Sequence, residues 1–122
     1  MPSTGLHGPW PLTEKDIDAV VRGVGAGAYA LTREGTEPTF IVNYVGRSDN
    51  DLRGRLKQWV NSRYTHFKYG FLPTSTDAFL KECHLYHDFG GPEGKLDNEM
   101  HPARAQGTTW SCPSVGCDAL RW

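Results

Sequence analysis

The residues best equipped for chemistry are two phenols, Tyr29 and Tyr44, a run of cations directly after the second, a carboxylate at Glu82 and a carboxamide at Asn98. A phenol can give or accept a proton, a guanidinium can neutralise phosphate charge, and a carboxylate can hold a hard divalent cation. Phosphodiester hydrolysis needs those parts: an activated nucleophile, charge stabilised on the non-bridging oxygens, and a stabilised leaving alkoxide. Each residue also has a plainer reading. Strand tyrosines are good strand formers, helix cations are commonly a solvated face, and a loop asparagine commonly bonds nearby backbone.

A second set is suited to a metal. Cys83 and His87 stand four apart, so on a helix they face the same way, and Cys112 and Cys117 form a C-x4-C pair near the end. Three cysteines and one histidine match the ligand number and type of structural zinc, with His84 or His101 able to replace His87. The tail 103–122 is rich in turn residues and has little apolar surface, so a metal clip to a helix would supply stability it otherwise lacks. The competing reading makes Cys83 a small core residue and Cys112 and Cys117 free thiols.

The elements that must position these side chains begin with a β-hairpin. Ala30 to Arg33, then Glu34-Gly35-Thr36-Glu37, then Phe40 to Asn43 read as strand, turn and strand. A turn centred between Gly35 and Thr36 puts Tyr29 opposite Val42 and, by period two, Tyr29 and Tyr44 on one face. Before the hairpin, residues 1–12 read as an irregular arm. Thr13 and Asp16 cap a helix whose apolar stripe is Ile17, Val20, Val21 and Val24. Glycines 23, 25 and 27 follow a helix rather than a strand, the wrong order for a phosphate-binding loop.

After the hairpin, Ser48 as cap and Asp51 at the third position open a helix with Leu52, Leu56, Trp59 and Val60 buried, ending near Asn61 or Ser62. Arg53 and Arg55 flank that stripe on opposite sides. His66 to Phe71 reads as a third strand, ended by Pro73. Ser75 or Thr76 caps a helix through His87, on which Glu82 shares a side with Ala78, Leu85 and Phe89. A carboxylate on an apolar stripe must be paired, metal-bound or at the rim of the core. The fold class is therefore α+β: a small three-stranded antiparallel sheet flanked by helices, with a turn-rich tail clipped by zinc.

The order Gly27-Ala28-Tyr29, Tyr44-Val45-Gly46, Arg55-Leu56 on the next helix, Glu82 on a later helix and Asn98 in Leu96-Asp97-Asn98-Glu99 resembles the GIY-YIG nuclease superfamily. The resemblance spans residues 24–102 and implies a metal-dependent endonuclease acting on DNA. It implies that Glu82 holds magnesium or manganese, that Tyr44 takes a proton from the attacking water, and that Tyr29 orients water or phosphate. Arg55 would neutralise charge on the phosphate, and Asn98 would fix the phosphate or the metal's water. Arg47 stands where some relatives have a lysine; its charge could favour a phenolate, but a guanidinium cannot relay a proton. Two departures stand out: Arg55 is one residue further from Tyr44 than in the commonest members, and Trp59 stands where several relatives carry a histidine. If a histidine takes part, His66 or His84 must reach in from elsewhere.

The 122 residues suit a single domain, 1–122, with a nuclease core at 24–102. No apolar run is long enough to span a membrane and no signal peptide is visible, so a cytoplasmic protein is expected. A net charge of −1 predicts weak nonspecific affinity for DNA. The cations are nevertheless clustered: Arg47, Arg53, Arg55, Lys57, Arg63 and Lys68 form a candidate DNA-binding wall against only Asp49 and Asp51. In so small a chain a protein partner or homo-oligomerisation would add specificity. Two other classes compete, a non-cleaving nucleic-acid-binding module on the same fold and a zinc-stabilised interaction domain.

Overall fold

The computed structural model describes residues 4–36 and 39–113. Its elements are β1 (His7–Pro11), α1 (Glu14–Val20), β2 (Gly27–Thr32), β3 (Tyr44–Ser48), α2 (Leu52–Lys57), β4 (His66–Phe71) and α3 (Ser75–Asp88). The strands make one sheet in the order β1-β4-β2-β3, antiparallel throughout. The class is α+β, with four strands rather than three.

Side-chain size along β2 decides how the helices pack. Tyr29 and Leu31 point to one face and join Ile17, Val21, Leu52, Leu56 and Phe67 in a core under α1 and α2. Ala28 and Ala30 point to the other, where small side chains let α3 lie close, and they pack with Val45, Leu85 and Tyr86. Both faces are thus covered, and every residue of β2 is buried. A third, smaller cluster of Phe79, Cys83 and Cys112, with Leu80 and Trp110 against it, joins the tail to α3.

The expected irregular arm contains β1. All five of its residues are exposed, and its backbone pairs with β4 at Trp10↔Phe67 and Pro11↔His66. Pro9 and Pro11 disguise it, because each lacks the N–H of a regular strand residue, and an edge position tolerates that loss. Residues before the expected start of the core at 24 are also built in, since Ile17 and Val21 are fully buried. Val24, expected on the same stripe, is 78% exposed because α1 ends at Val20.

The hairpin forms in a different register. Tyr29 faces Gly46 and Leu31 faces Tyr44, so the second strand holds Tyr44-Val45-Gly46 as expected but begins at Tyr44, with Phe40 to Asn43 outside it. Asn43 accounts for the shift. Its Oδ1 accepts from the Arg33 amide and the Thr32 hydroxyl, and its Nδ2 donates to Glu34, so its side chain takes over from the ladder beyond its own amide's bond to the Leu31 carbonyl. Tyr29 and Tyr44 still share a face, because Tyr44 is paired with Leu31 and Leu31 is two residues from Tyr29.

Helix starts move by a few residues. Thr13 caps α1 with Asp16, as expected. Asp51 rather than Ser48 caps α2, accepting from the Gly54 amide, while the Ser48 hydroxyl accepts from the Asp51 amide. Thr74, not Ser75 or Thr76, caps α3. After Lys57 the chain tightens into turns to Ser62 that still bring Trp59 and Val60 onto the first core.

Candidate functional site

Tyr29 is the fixed point. Its ring is 2% exposed at the middle of the sheet, and its hydroxyl accepts a hydrogen bond of 2.9 Å from the Trp59 indole. Opposite it, position 46 must be glycine, because a Cβ there would overlap the phenol. Burial pushes the Tyr29 hydroxyl far above the ordinary tyrosine range, so it is a neutral hydrogen-bonding group at neutral pH. Tyr44, half-buried, packs against the same Trp59 ring at 4.7 Å between centroids, the two planes tilted by 52°. Trp59 therefore holds both phenols in place.

These two tyrosines and Gly46 line a cleft of about 250 Å³ together with Arg47, Asp49, Arg55, Glu82 and Ala103. The cleft wraps the edge of β3. Tyr44 and Gly46 come from the α2 face, whereas Arg47, paired with Ala28, comes from the α3 face and meets Glu82 on α3. Arg47 bridges two carboxylates, with 2.7 Å to Glu82 and 2.9 Å to Asp49, and lies 5.2 Å from the Phe79 ring and 5.6 Å from the Trp110 ring.

Glu82 is 8% exposed, and burial holds its carboxyl above the usual range against the opposing pull of Arg47. Of the three expected situations for this carboxylate, paired, metal-bound or at the rim of the core, the structure shows pairing with Arg47. Burial and then the Glu82 charge raise Tyr44, while Arg55 lowers it. Arg55, not Arg47, is the cation that favours the phenolate, because the Arg47 charge is spent on two carboxylates. Arg55 is exposed in the cleft and has no ion pair among the described residues.

Asn98 is placed beside the cleft and faces the backbone. Its Oδ1 accepts from the Val45 amide at 3.0 Å and its Nδ2 donates to the Val45 carbonyl at 2.8 Å. It borders a neighbouring hollow with Tyr44, Asp97, Glu99 and Met100.

The expected DNA-binding cations do not form one wall. Arg53 and Lys57 converge on Asp18 of α1, at 3.9 and 2.7 Å. Arg63 pairs with Asp97 at 3.4 Å. Lys68, opposite Ala30, belongs to the α3 face, where its amine lies 4.9 Å from the Phe40 ring. Neither His66 nor His84 lines the cleft.

The metal-ligating set differs from the expected one in its histidine. A sulfur each from Cys83 and Cys112 and a ring nitrogen of His101 lie within 4.8 Å of one another, a group that could hold a metal. His87 stands outside that group, its Nε2 3.4 Å from Nε2 of His101. Cys83 and Cys112 are buried free thiols, and Cys117 lies outside the described residues. Burial and His101 draw His87 below the ordinary histidine range. His101 is instead aimed by the chain, its Nδ1 donating to the Pro102 carbonyl at 2.8 Å.

No protein-family profile, curated protein or solved structure matches this chain. Sequence reasoning missed Asp49 and Trp110. The first was findable, since Arg47 and Asp49 are two apart at the end of a strand and fall on one side. The second carried no signal, because only the docked tail brings it to Arg47.

Proposed function

We propose that this chain is a divalent-cation-dependent endonuclease acting on DNA. The observation that supports it is convergence: Tyr29, Tyr44, Arg55 and Glu82, drawn from two strands and two helices, line one polar cleft. Groups so far apart in sequence meet at one edge of the sheet, with Asn98 anchoring the strand that carries Tyr44.

The donors fit magnesium or manganese. Glu82 and Asp49 offer hard carboxylate oxygens at one cleft, and magnesium is typically held by one or two carboxylates plus substrate phosphate. Arg47 already contacts both, so the ion would share them with a guanidinium. When bound, the ion would polarise a phosphoryl oxygen and stabilise the leaving alkoxide.

The chain's own groups do the rest. Tyr44 removes a proton from the attacking water, helped by Arg55. Tyr29, neutral and held by Trp59, hydrogen-bonds and orients the water or phosphate. Arg55 neutralises charge developing on the phosphate. Arg47 sets the Glu82 carboxylate, and Asn98 holds the Tyr44 strand in place. DNA is the proposed partner, with a second chain or another protein adding site preference, and zinc in the cysteine–histidine cluster would be structural.

The test is nicking of supercoiled plasmid with magnesium or manganese. Cleavage by the wild type should fall by about 100-fold or more in Glu82→Gln, Tyr44→Phe and Arg55→Ala. A Glu82→Gln protein that nicks at the wild-type rate would remove the ion from this cleft. One observation favours a second reading, a non-cleaving DNA-binding module: Arg47 satisfies Glu82 and Trp59 satisfies Tyr29 from within the chain. Binding of duplex without nicking under either ion would establish it.

A further inference from the structure

We propose that Cys83, His101 and Cys112 form a zinc centre that latches the tail onto α3 and thereby holds Trp110 over Arg47. Three observations carry it. The donors come from three separate stretches, helix, loop and tail, yet lie within 4.8 Å of one another. Two thiolates and an imidazole are the donor types that select zinc over hard cations, and with three chain donors a water or a further donor would complete the usual four.

The imidazole is prepared for a metal. A carbonyl can only accept, so the 2.8 Å bond to Pro102 fixes the proton on Nδ1 of His101 and leaves the lone pair on Nε2. Orientation of a ligand histidine by a backbone carbonyl is the usual second partner of such sites.

The tail needs the clip. Residues 103–113 contain no helix or strand, and they meet α3 in the small cluster of Phe79, Cys83, Cys112, Leu80 and Trp110. Cys112 is two residues from Trp110, whose ring is 5.2 Å from Phe79 and 5.6 Å from the Arg47 guanidinium. Fixing Cys112 fixes Trp110, and Trp110 closes one side of the cation that holds Glu82. The centre does not depend on the chain being a nuclease.

The experiment uses the full chain without a histidine tag, grown with zinc. Elemental analysis should find about one zinc per chain. Replacement by cobalt(II) should give a thiolate-to-cobalt charge-transfer band. Cys83→Ser, Cys112→Ser and His101→Ala should each lose the metal and the band, while Glu82→Gln keeps both, separating this centre from the cleft. Chelation of the wild type should speed amide exchange across residues 104–112. Wild-type protein free of zinc and of the cobalt band, or a Cys83–Cys112 disulfide found in its place, would overturn the centre even if no variant folds. Unchanged exchange on chelation would overturn the latch.

Discussion

Tyr29 and Tyr44 are chemically identical side chains with different burial, and burial assigns their roles. Tyr44 is raised above the ordinary phenol value of 10.0, first by burial and then by Glu82, so only a small fraction is ionised at neutral pH. Used as the base, it should make kcat/KM rise about tenfold per pH unit from pH 7 to 9. A flat profile over that range would take the proton transfer away from it. Tyr29 has a different pH consequence. Its native value is raised above 10.0, so its contribution to stability is fully present below pH 10 and is lost as pH rises beyond it. Urea denaturation should show a loss of stability above pH 10 that is smaller in Tyr29→Phe. The glycine opposite is equally constrained. Gly46→Ala should cost roughly 1–3 kcal/mol through overpacking on a ring that cannot retreat, read from the urea midpoint.

Among the elements, β3 is the one on which the cleft depends, and it is an edge strand. Asn98 spans the Val45 amide and carbonyl as a neighbouring strand would, so Asn98→Ala leaves both groups without their partner. The expected cost is roughly 1–3 kcal/mol, with faster amide exchange at Val45. Wild-type protection of Val45 in that variant would show that the loop backbone, not the amide, covers the edge. The elements also show what was legible in the chain. His66–Phe71 was readable because aromatic strand residues end at a proline, and α3 because its apolar stripe is local, although its cap is Thr74 rather than Ser75 or Thr76. β1 was not, because its exposed residues and two prolines give no alternation, and only pairing with β4 makes it a strand. The β2–β3 register was hidden for a related reason. Asn43 looks like any strand-end asparagine, and its use as a loop anchor depends on contacts across the turn. Tyr29, Tyr44, Arg55 and Glu82 could be picked out by residue type and order, whereas the Arg47 bridge and the choice of His101 over His87 needed the packed α3.

On the scale of the whole molecule, charge counts are a poor guide to where a polyanion would sit. Of the six cations clustered in sequence, Arg47 is enclosed, Arg53, Lys57 and Arg63 are engaged by Asp18 and Asp97, and Lys68 is on the other face. DNA affinity should therefore depend only modestly on salt, with a slope of about −0.9 for each phosphate contacted and few phosphates contacted. Arg55→Ala should reduce that slope by about one. A steep slope that Arg55→Ala leaves untouched would place the nucleic acid elsewhere. The sheet's margins have a separate consequence for how copies of the chain meet. At one margin Pro9 and Pro11 remove two amide donors, and at the other the Asn98 carboxamide occupies the peptide group of Val45. Neither margin presents the unbroken peptide ladder that templates fibril growth or strand exchange between molecules. Concentrated protein should therefore resist seeding by its own aggregates, and replacing Asn98 would expose a growth point as well as loosen the cleft.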